Sequence, residues 1–201
     1  MYAHPCIGYT IRRSRYLNVT NRCTLRCTFC PKFNGSWSVR GYDLRLHEEP
    51  GVEALLDAAG DPARYDEIVF CGFGEPSLRL YTVLEAGAEL RRRGARVRLN
   101  TDGLANLVHG RDVTPDLEET VDAVSISLNA QDAATSCRHC RPPVPGAFPA
   151  LIDFAVRVRE FVPNVTLTAI DGLEGVSIPA CRALAEQLGV GFRRRVLDQV
   201  G

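Results

Sequence analysis

Cys23, Cys27 and Cys30 stand in one run, Cys23-Thr-Leu-Arg-Cys27-Thr-Phe-Cys30, with no other cysteine between them. Three thiolates that close together suit a metal centre, because soft sulfur ligands select zinc or iron–sulfur clusters. A closed structural zinc site needs a fourth ligand, usually in paired Cys-x-x-Cys form. The next cysteine, Cys71, lies far along the chain and reads as the end of a buried strand. Three ligands and an open position is the arrangement of a reactive centre. A zinc site completed by His139, Cys140 or a more distant residue is the competing reading, and the three cysteines alone leave the two equal.

Three further groups could share a site with these thiols. Val69-Phe70-Cys71-Gly72-Phe73-Gly74-Glu75-Pro76 puts a glycine-rich turn and a carboxylate at the end of an apolar run. Glycine lets backbone approach a ligand closely, and Glu75 can accept hydrogen bonds from an ammonium group. Asn100-Thr101-Asp102-Gly103 and Ser127-Leu128-Asn129 end two more such runs.

Lysine chemistry is nearly excluded. Of 24 basic residues only Lys32 is a lysine, and no Gly-rich phosphate turn surrounds it, so Schiff-base and P-loop functions have no residue to use. Lys+Arg and Asp+Glu balance at 24 each, which gives no bulk charge to draw the chain to nucleic acid or an anionic membrane. No apolar segment is long enough to span a membrane, and the N-terminus lacks the pattern of a signal peptide. The expected compartment is the cytoplasm, where eight cysteines point to metal or catalysis before disulfides.

Strand-like and helix-like runs alternate along all 201 residues, which read as a single domain. The candidate strands are Tyr16–Thr20, Glu67–Cys71, Arg96–Asn100, Ala123–Leu128, Val165–Ile170 and Phe192–Val196. Helical periodicity lies between them, with Leu151, Phe154, Ala155 and Val158 on one face, Leu80, Val83, Leu84 and Ala88 on a second, and Cys181, Leu184, Ala185 and Leu188 on a third. Gly94 and Gly189 are placed to stop the last two. This order predicts an α/β fold with a parallel sheet. Its strands have one apolar face and one polar face: Asn18 and Thr20, Ser125, Ser127 and Asn129, Thr166 and Thr168, Arg193 and Arg195. Strands buried between two helix layers would be apolar on both faces. The pattern therefore predicts a partial (β/α)6 barrel, with its chemistry on the C-terminal rim.

Cys-x3-Cys-x2-Cys after the first strand, with Phe29 before the last cysteine, resembles the radical SAM superfamily, and Gly-Phe-Gly-Glu-Pro resembles that superfamily's Gly-Gly-Glu-Pro element. More narrowly, Leu17-Asn-Val-Thr-Asn-Arg-Cys23, Gly72-Phe-Gly-Glu-Pro-Ser-Leu-Arg79, Leu99-Asn-Thr-Asp-Gly103 and Ser125-Ile-Ser-Leu-Asn-Ala130 resemble the small radical SAM proteins associated with TatD-type hydrolases. The resemblance implies that Cys23, Cys27 and Cys30 each hold one iron of a [4Fe–4S] cluster, with S-adenosylmethionine on the fourth. Reductive cleavage then gives methionine and a 5′-deoxyadenosyl radical, which abstracts hydrogen from an unidentified substrate. By the same resemblance Glu75, with the Gly72 and Gly74 backbone, meets the methionyl ammonium, and Phe29 lies near the adenine. Ser127 and Asn129 meet the ribose or carboxylate, and Thr101, Asp102 and Thr168 are further contacts. Asp102 departs from the Thr-Asn-Gly usual there. A flavodoxin- or ferredoxin-type donor and a TatD-type hydrolase are the implied partners. The alternative is a non-catalytic zinc or iron–sulfur adaptor that docks such a hydrolase.

Arg193 and Arg195 would point into the barrel toward a carboxylate of cofactor or substrate, and Arg141, in Cys137-Arg-His-Cys140-Arg141, toward the substrate. Cys71 and Cys181 are expected to be core cysteines, and His47 and His109 surface residues. The chain ends soon after the sixth strand, so loops, a partner or a large substrate are expected to cover the open side.

Overall fold

The computed structural model describes residues 6–197. Seven strands form one sheet: β1 (Gly8–Ile11), β2 (Ser14–Asn18), β5 (Glu67–Cys71), β6 (Val97–Thr101), β7 (Ala123–Ser127), β8 (Asn164–Asp171) and β9 (Gly191–Val196). They lie side by side in that order. The last six run parallel, as the alternating pattern predicts, and β1 adds an antiparallel edge to β2. That edge strand was not foreseen. A small hairpin of β3 (Ser38–Val39) and β4 (Tyr42–Asp43) stands apart from the sheet. The helices are α1 (Val52–Ala59), α2 (Leu80–Arg92), α3 (Ala105–His109), α4 (Ala133–Cys140), α5 (Ala147–Val158) and α6 (Ile178–Gln187).

All the large helices cover one face. Leu17, Ile68, Phe70, Leu99, Val124, Ile126 and Leu167 meet Leu55, Val83, Leu90, Leu151 and Phe154 in a single core. Burying a side chain such as Phe154 contributes about 2–3 kcal/mol. The expected faces of α5 and α6 are the buried ones, and Gly94 and Gly189 follow the ends of α2 and α6 with positive φ. For α2 the face differs: Leu80, Val83, Ala86, Gly87 and Leu90 are buried, whereas Ala88 is exposed. Gly87 packs against Thr120, and a glycine carries no side chain to mark a position as apolar.

The other face carries no helix and is polar. Strand register places Tyr16, Val69, Arg98, Ala123 and Asn164 in one row, and Asn100, Ser125, Thr166 and Gly191 in the next. Ser127, Thr168 and Arg193 form a third row, and Ile170 with Arg195 a fourth. In a flat sheet β2 and β9 would be five strand spacings, roughly 24 Å, apart. Arg193 on β9 nevertheless interacts electrostatically with Tyr16 on β2 and Glu67 on β5. The sheet is curled around its polar face without closing, which is the partial barrel expected. The β1 end of the hollow is covered by Tyr9, Ile11 and Leu44, packed with Tyr16, Val39 and Phe73.

Candidate active site

Cys23, Cys27 and Cys30 lie on the loop leaving the C-terminal end of β2, each half-buried. The turn after β5 locks onto this loop. Gly72, at φ 126°, lies against Asn18, where a Cβ would come within 2.2 Å of Oδ1. A Cβ on Gly74 would come within 2.1 Å of the Thr20 carbonyl and 2.4 Å of the Arg22 carbonyl. Both are closer than any non-bonded contact allows, so the turn needs glycine for approach as well as conformation. The Glu75 amide then donates to the Arg22 carbonyl at 2.8 Å.

Glu75 is buried, and its carboxylate accepts from the Ser77 amide (3.0 Å), the Thr101 hydroxyl (2.8 Å) and the Asp102 amide (2.7 Å). Burial, with the neighbouring charge of Asp102, pushes its pKa up to about 8 despite these donors. Asp102 is buried too. Its Oδ1 accepts from the Leu104 amide at 3.0 Å, while Oδ2 has no partner, and burial raises its pKa. Asn129, two residues past the end of β7, is in the left-handed region, φ 59°, and its amide donates to the Thr168 carbonyl at 3.0 Å. Thr168 is buried, Ser127 is half-buried, and Phe29 packs at the edge of the core.

The sequence offered Cys140 as a zinc ligand, but not its place against the cysteine loop. The amides of Arg26 and Thr28 donate to the carbonyls of Cys140 (3.0 Å) and His139 (2.8 Å), so the end of α4 buttresses the cysteine loop. The Cys140 thiol is buried and hydrogen-bonded to Cys27, which raises the Cys27 pKa along with burial and the nearby charges of Cys23 and Cys30. Cys137 is exposed and Cys140 buried, and both are free thiols. His139 hydrogen-bonds the Glu174 carbonyl at 2.7 Å. Cys181 is a core cysteine as expected, but Cys71 is on the polar face, where its sulfur accepts from Asn100 at 3.3 Å. The parity of β5 puts Glu67, Val69 and Cys71 on one side, opposite Ile68 and Phe70. His47 is exposed, while His109 is tied to the Ser77 carbonyl at 2.8 Å. Arg141 lines a cavity of about 310 Å³ with Arg26, Cys27, Thr28, Phe33 and Asn34, outside the hollow of the sheet.

The donor set fits an iron–sulfur cluster and a polar ligand. The half-buried Cys23 and Cys27 thiols, whose pKa values are raised, need positive charge beside them to ionise, and iron would supply it. Among the described residues no three His, Cys, Asp or Glu side chains are already grouped to hold a metal ion. Among the described residues the buried side-chain atoms without a hydrogen-bond partner are Asn18 Oδ1, Thr24 Oγ1, Asp102 Oδ2 and Arg195 Nε. All four belong to the rim or the polar hollow, where a ligand could satisfy them.

A curled parallel sheet with a three-cysteine loop and a glycine–carboxylate turn on its rim defines a cluster-dependent enzyme fold. The model of the radical SAM superfamily matches residues 17–188, and the chain belongs to that superfamily. Its cofactors are accordingly a [4Fe–4S] cluster and S-adenosylmethionine. A GTP 3′,8-cyclase of Streptomyces coelicolor is 32% identical over 115 residues, 56% of this chain and 32% of the cyclase. The Streptococcus suis protein SuiB bound to S-adenosylmethionine superposes with a TM-score of 0.66 at 12% identity, over 92% of this chain and 40% of SuiB. A radical SAM methyltransferase from Sphaerobacter thermophilus gives 0.56 at 16% identity, over 94% and 68%. The chain thus spans about a third of the cyclase it matches. Among the described residues no helix is long and apolar enough to cross a membrane.

Proposed function

We propose that the chain is a radical SAM enzyme in which Cys23, Cys27 and Cys30 hold the cluster and Glu75 receives the ammonium group of S-adenosylmethionine. The observation that carries this reading is the joint between the cysteine loop and the glycine turn, where Gly74 fits only because it has no Cβ and Glu75 is tied to Arg22. When bound, the cluster and S-adenosylmethionine supply a 5′-deoxyadenosyl radical for hydrogen abstraction. The chain's residues orient and desolvate that chemistry. Glu75, already held by three donors, presents a fixed acceptor to a cation. Thr101 and the Asp102 amide brace Glu75, the unpartnered Asp102 Oδ2 stays open to a ligand, Phe29 offers an apolar wall, and Ser127, Asn129 and Thr168 line the side nearest α4.

Four motif segments support placement beside the TatD-associated radical SAM proteins. In that setting residues 1–201 act as one domain in the cytoplasm, receive an electron from a flavodoxin- or ferredoxin-type donor and work with a TatD-type hydrolase. A pure adaptor has no use for a buried Glu75 or a polar hollow, which favours the enzyme.

The test is 5′-deoxyadenosine formation by anaerobically reconstituted protein with S-adenosylmethionine and dithionite. Product is expected from the wild type, none from Cys27→Ala, and much less from Glu75→Ala. No product from protein carrying about four irons and four sulfides per chain, the complement of one such cluster, would overturn the reading.

A further inference from the structure

Three arginines occupy the polar hollow, and only one is neutralised. Arg98 makes a bidentate ion pair with Glu67, Nε to Oε2 at 2.9 Å and Nη2 to Oε1 at 2.7 Å, and Ser14 donates to the same carboxylate at 2.9 Å. Arg193 and Arg195 follow on the same side of β9, facing Thr168 and Ile170. Among the described residues no carboxylate pairs with either. Arg194, between them, points the other way and pairs with Asp171. The strand thus directs its one compensated arginine outward and its two uncompensated ones inward.

Such an arrangement is costly. Arg195 is largely enclosed; Nη2 donates to Asn129 Oδ1 at 2.7 Å, while Nε has no acceptor. Burial, then the charge of Arg193, pulls its pKa below the ordinary value. Arg193 stays open to solvent, and partial desolvation, then Arg98, lowers its pKa as well. A buried unpaired cation destabilises a fold unless an anion arrives to meet it. Guanidinium forks match the geometry of carboxylate and phosphate oxygens.

We infer that Arg193 and Arg195 form the anion-binding part of the substrate site, holding a carboxylate or phosphate group of the substrate in the hollow of the sheet. Position separates Arg193 from the carboxylate of S-adenosylmethionine, while Arg195, on Asn129 and in electrostatic contact with Cys27 and Cys140, lies at the rim between the two. Arg193 is exposed to the hollow and interacts with Tyr16, Glu67 and Arg98, which lie toward the beginnings of their strands. The Glu75 turn follows the opposite end of β5. This inference rests on the radical SAM reading for the word substrate, but the anion site itself does not.

The test uses cluster-loaded protein and two simple probes, inorganic pyrophosphate and malonate, titrated calorimetrically alongside S-adenosylmethionine. At least one probe is expected to bind the wild type, and Arg193→Met and Arg195→Met each to weaken it by about tenfold to a hundredfold, the loss of one charged hydrogen-bond donor. Arg195→Lys, which keeps the charge, should bind between the two, and Arg194→Met should bind like the wild type. S-adenosylmethionine affinity is expected to stay within about twofold in Arg193→Met. Failure of both probes to bind, equal binding by the methionine variants, or parallel loss of S-adenosylmethionine affinity in Arg193→Met would overturn the assignment. Probe binding with these properties in a protein that forms no 5′-deoxyadenosine would leave the anion site standing and remove the radical reading.

Discussion

The backbone amide of Asp102 donates to Glu75 Oε2 at 2.7 Å while the Asp102 carboxylate, itself buried, has an oxygen with no partner. One residue therefore both braces the acceptor and opposes its charge. Burial and this charge raise the Glu75 pKa to about 8, so the folded protein binds a proton there that the unfolded chain releases near its ordinary value of about 4.3. Native protein holds more protons than unfolded protein across that window, and stability falls as pH rises through it.

Asp102→Asn is expected to flatten that dependence. It removes the opposing charge, keeps the backbone donor and supplies the residue usual in the superfamily's motif. Each unit by which the Glu75 pKa falls back contributes about 1.4 kcal/mol above pH 8. Urea midpoints at pH 5.5 and 8.5 check this: the variant should gain chiefly at the higher pH. An equal gain at both would mean that relief of the unpartnered oxygen, and not of the charge, is responsible.

Gly74→Ala should separate the two halves of the rim. Its Cβ would overlap the Thr20 and Arg22 carbonyls, which are backbone and cannot rotate away. The expected cost is about 3 kcal/mol or more, at the upper end of what overpacking produces. Because the displaced loop carries Cys23, reconstituted variant should also hold far less iron and sulfide per chain than wild type. A full cluster in the variant would show that the joint is not what positions the thiols.

The cysteine motif and the two faces of the sheet were legible because both are local: ligand spacing is written within one loop, and side chains alternate with period two along a strand. The same parity set Arg193 and Arg195 inward. What was not legible depends on contacts between distant segments. Gly8–Ile11 is too short to show a pattern, and becomes a strand only by pairing with β2. Cys140 reads as half of a Cys-x-x-Cys until the end of α4 is seen against Arg26 and Thr28. Glu67 and Arg98 look like ordinary strand-end charges, and only the parallel register makes them an ion pair.

Cys140→Ala tests the contact with Cys27. In the free protein the Cys27 thiol donates to Cys140; with Cys27 deprotonated as a cluster ligand, the Cys140 S–H would donate to its sulfur instead, which would favour the more negative, reduced cluster. The variant is expected to retain its iron while its reduction potential shifts to a more negative value, read by a redox titration followed by electron paramagnetic resonance. Loss of the cluster would instead make Cys140 a ligand or a structural prop.

Glu67→Gln should be among the most damaging substitutions away from the rim. Burial alone would raise the Glu67 pKa, but the hydrogen bonds and charge of Arg98 outweigh it and hold the carboxyl below its ordinary value. A depressed carboxylate stabilises the fold above its unfolded pKa and loses that contribution as pH falls through the folded one, here below about pH 4.3. Removing the charge leaves Arg98 uncompensated beside Arg193, at a cost of about 3–5 kcal/mol. Thermal unfolding should show a lower midpoint for the variant at pH 7 and near-convergence with wild type at pH 3. Multivalent anions such as pyrophosphate should recover part of the loss at pH 7, because they supply the hollow with the negative charge that Glu67 provided. A variant as stable as wild type at pH 7 would show that the hollow tolerates three unpaired guanidinium groups, and that water already screens them.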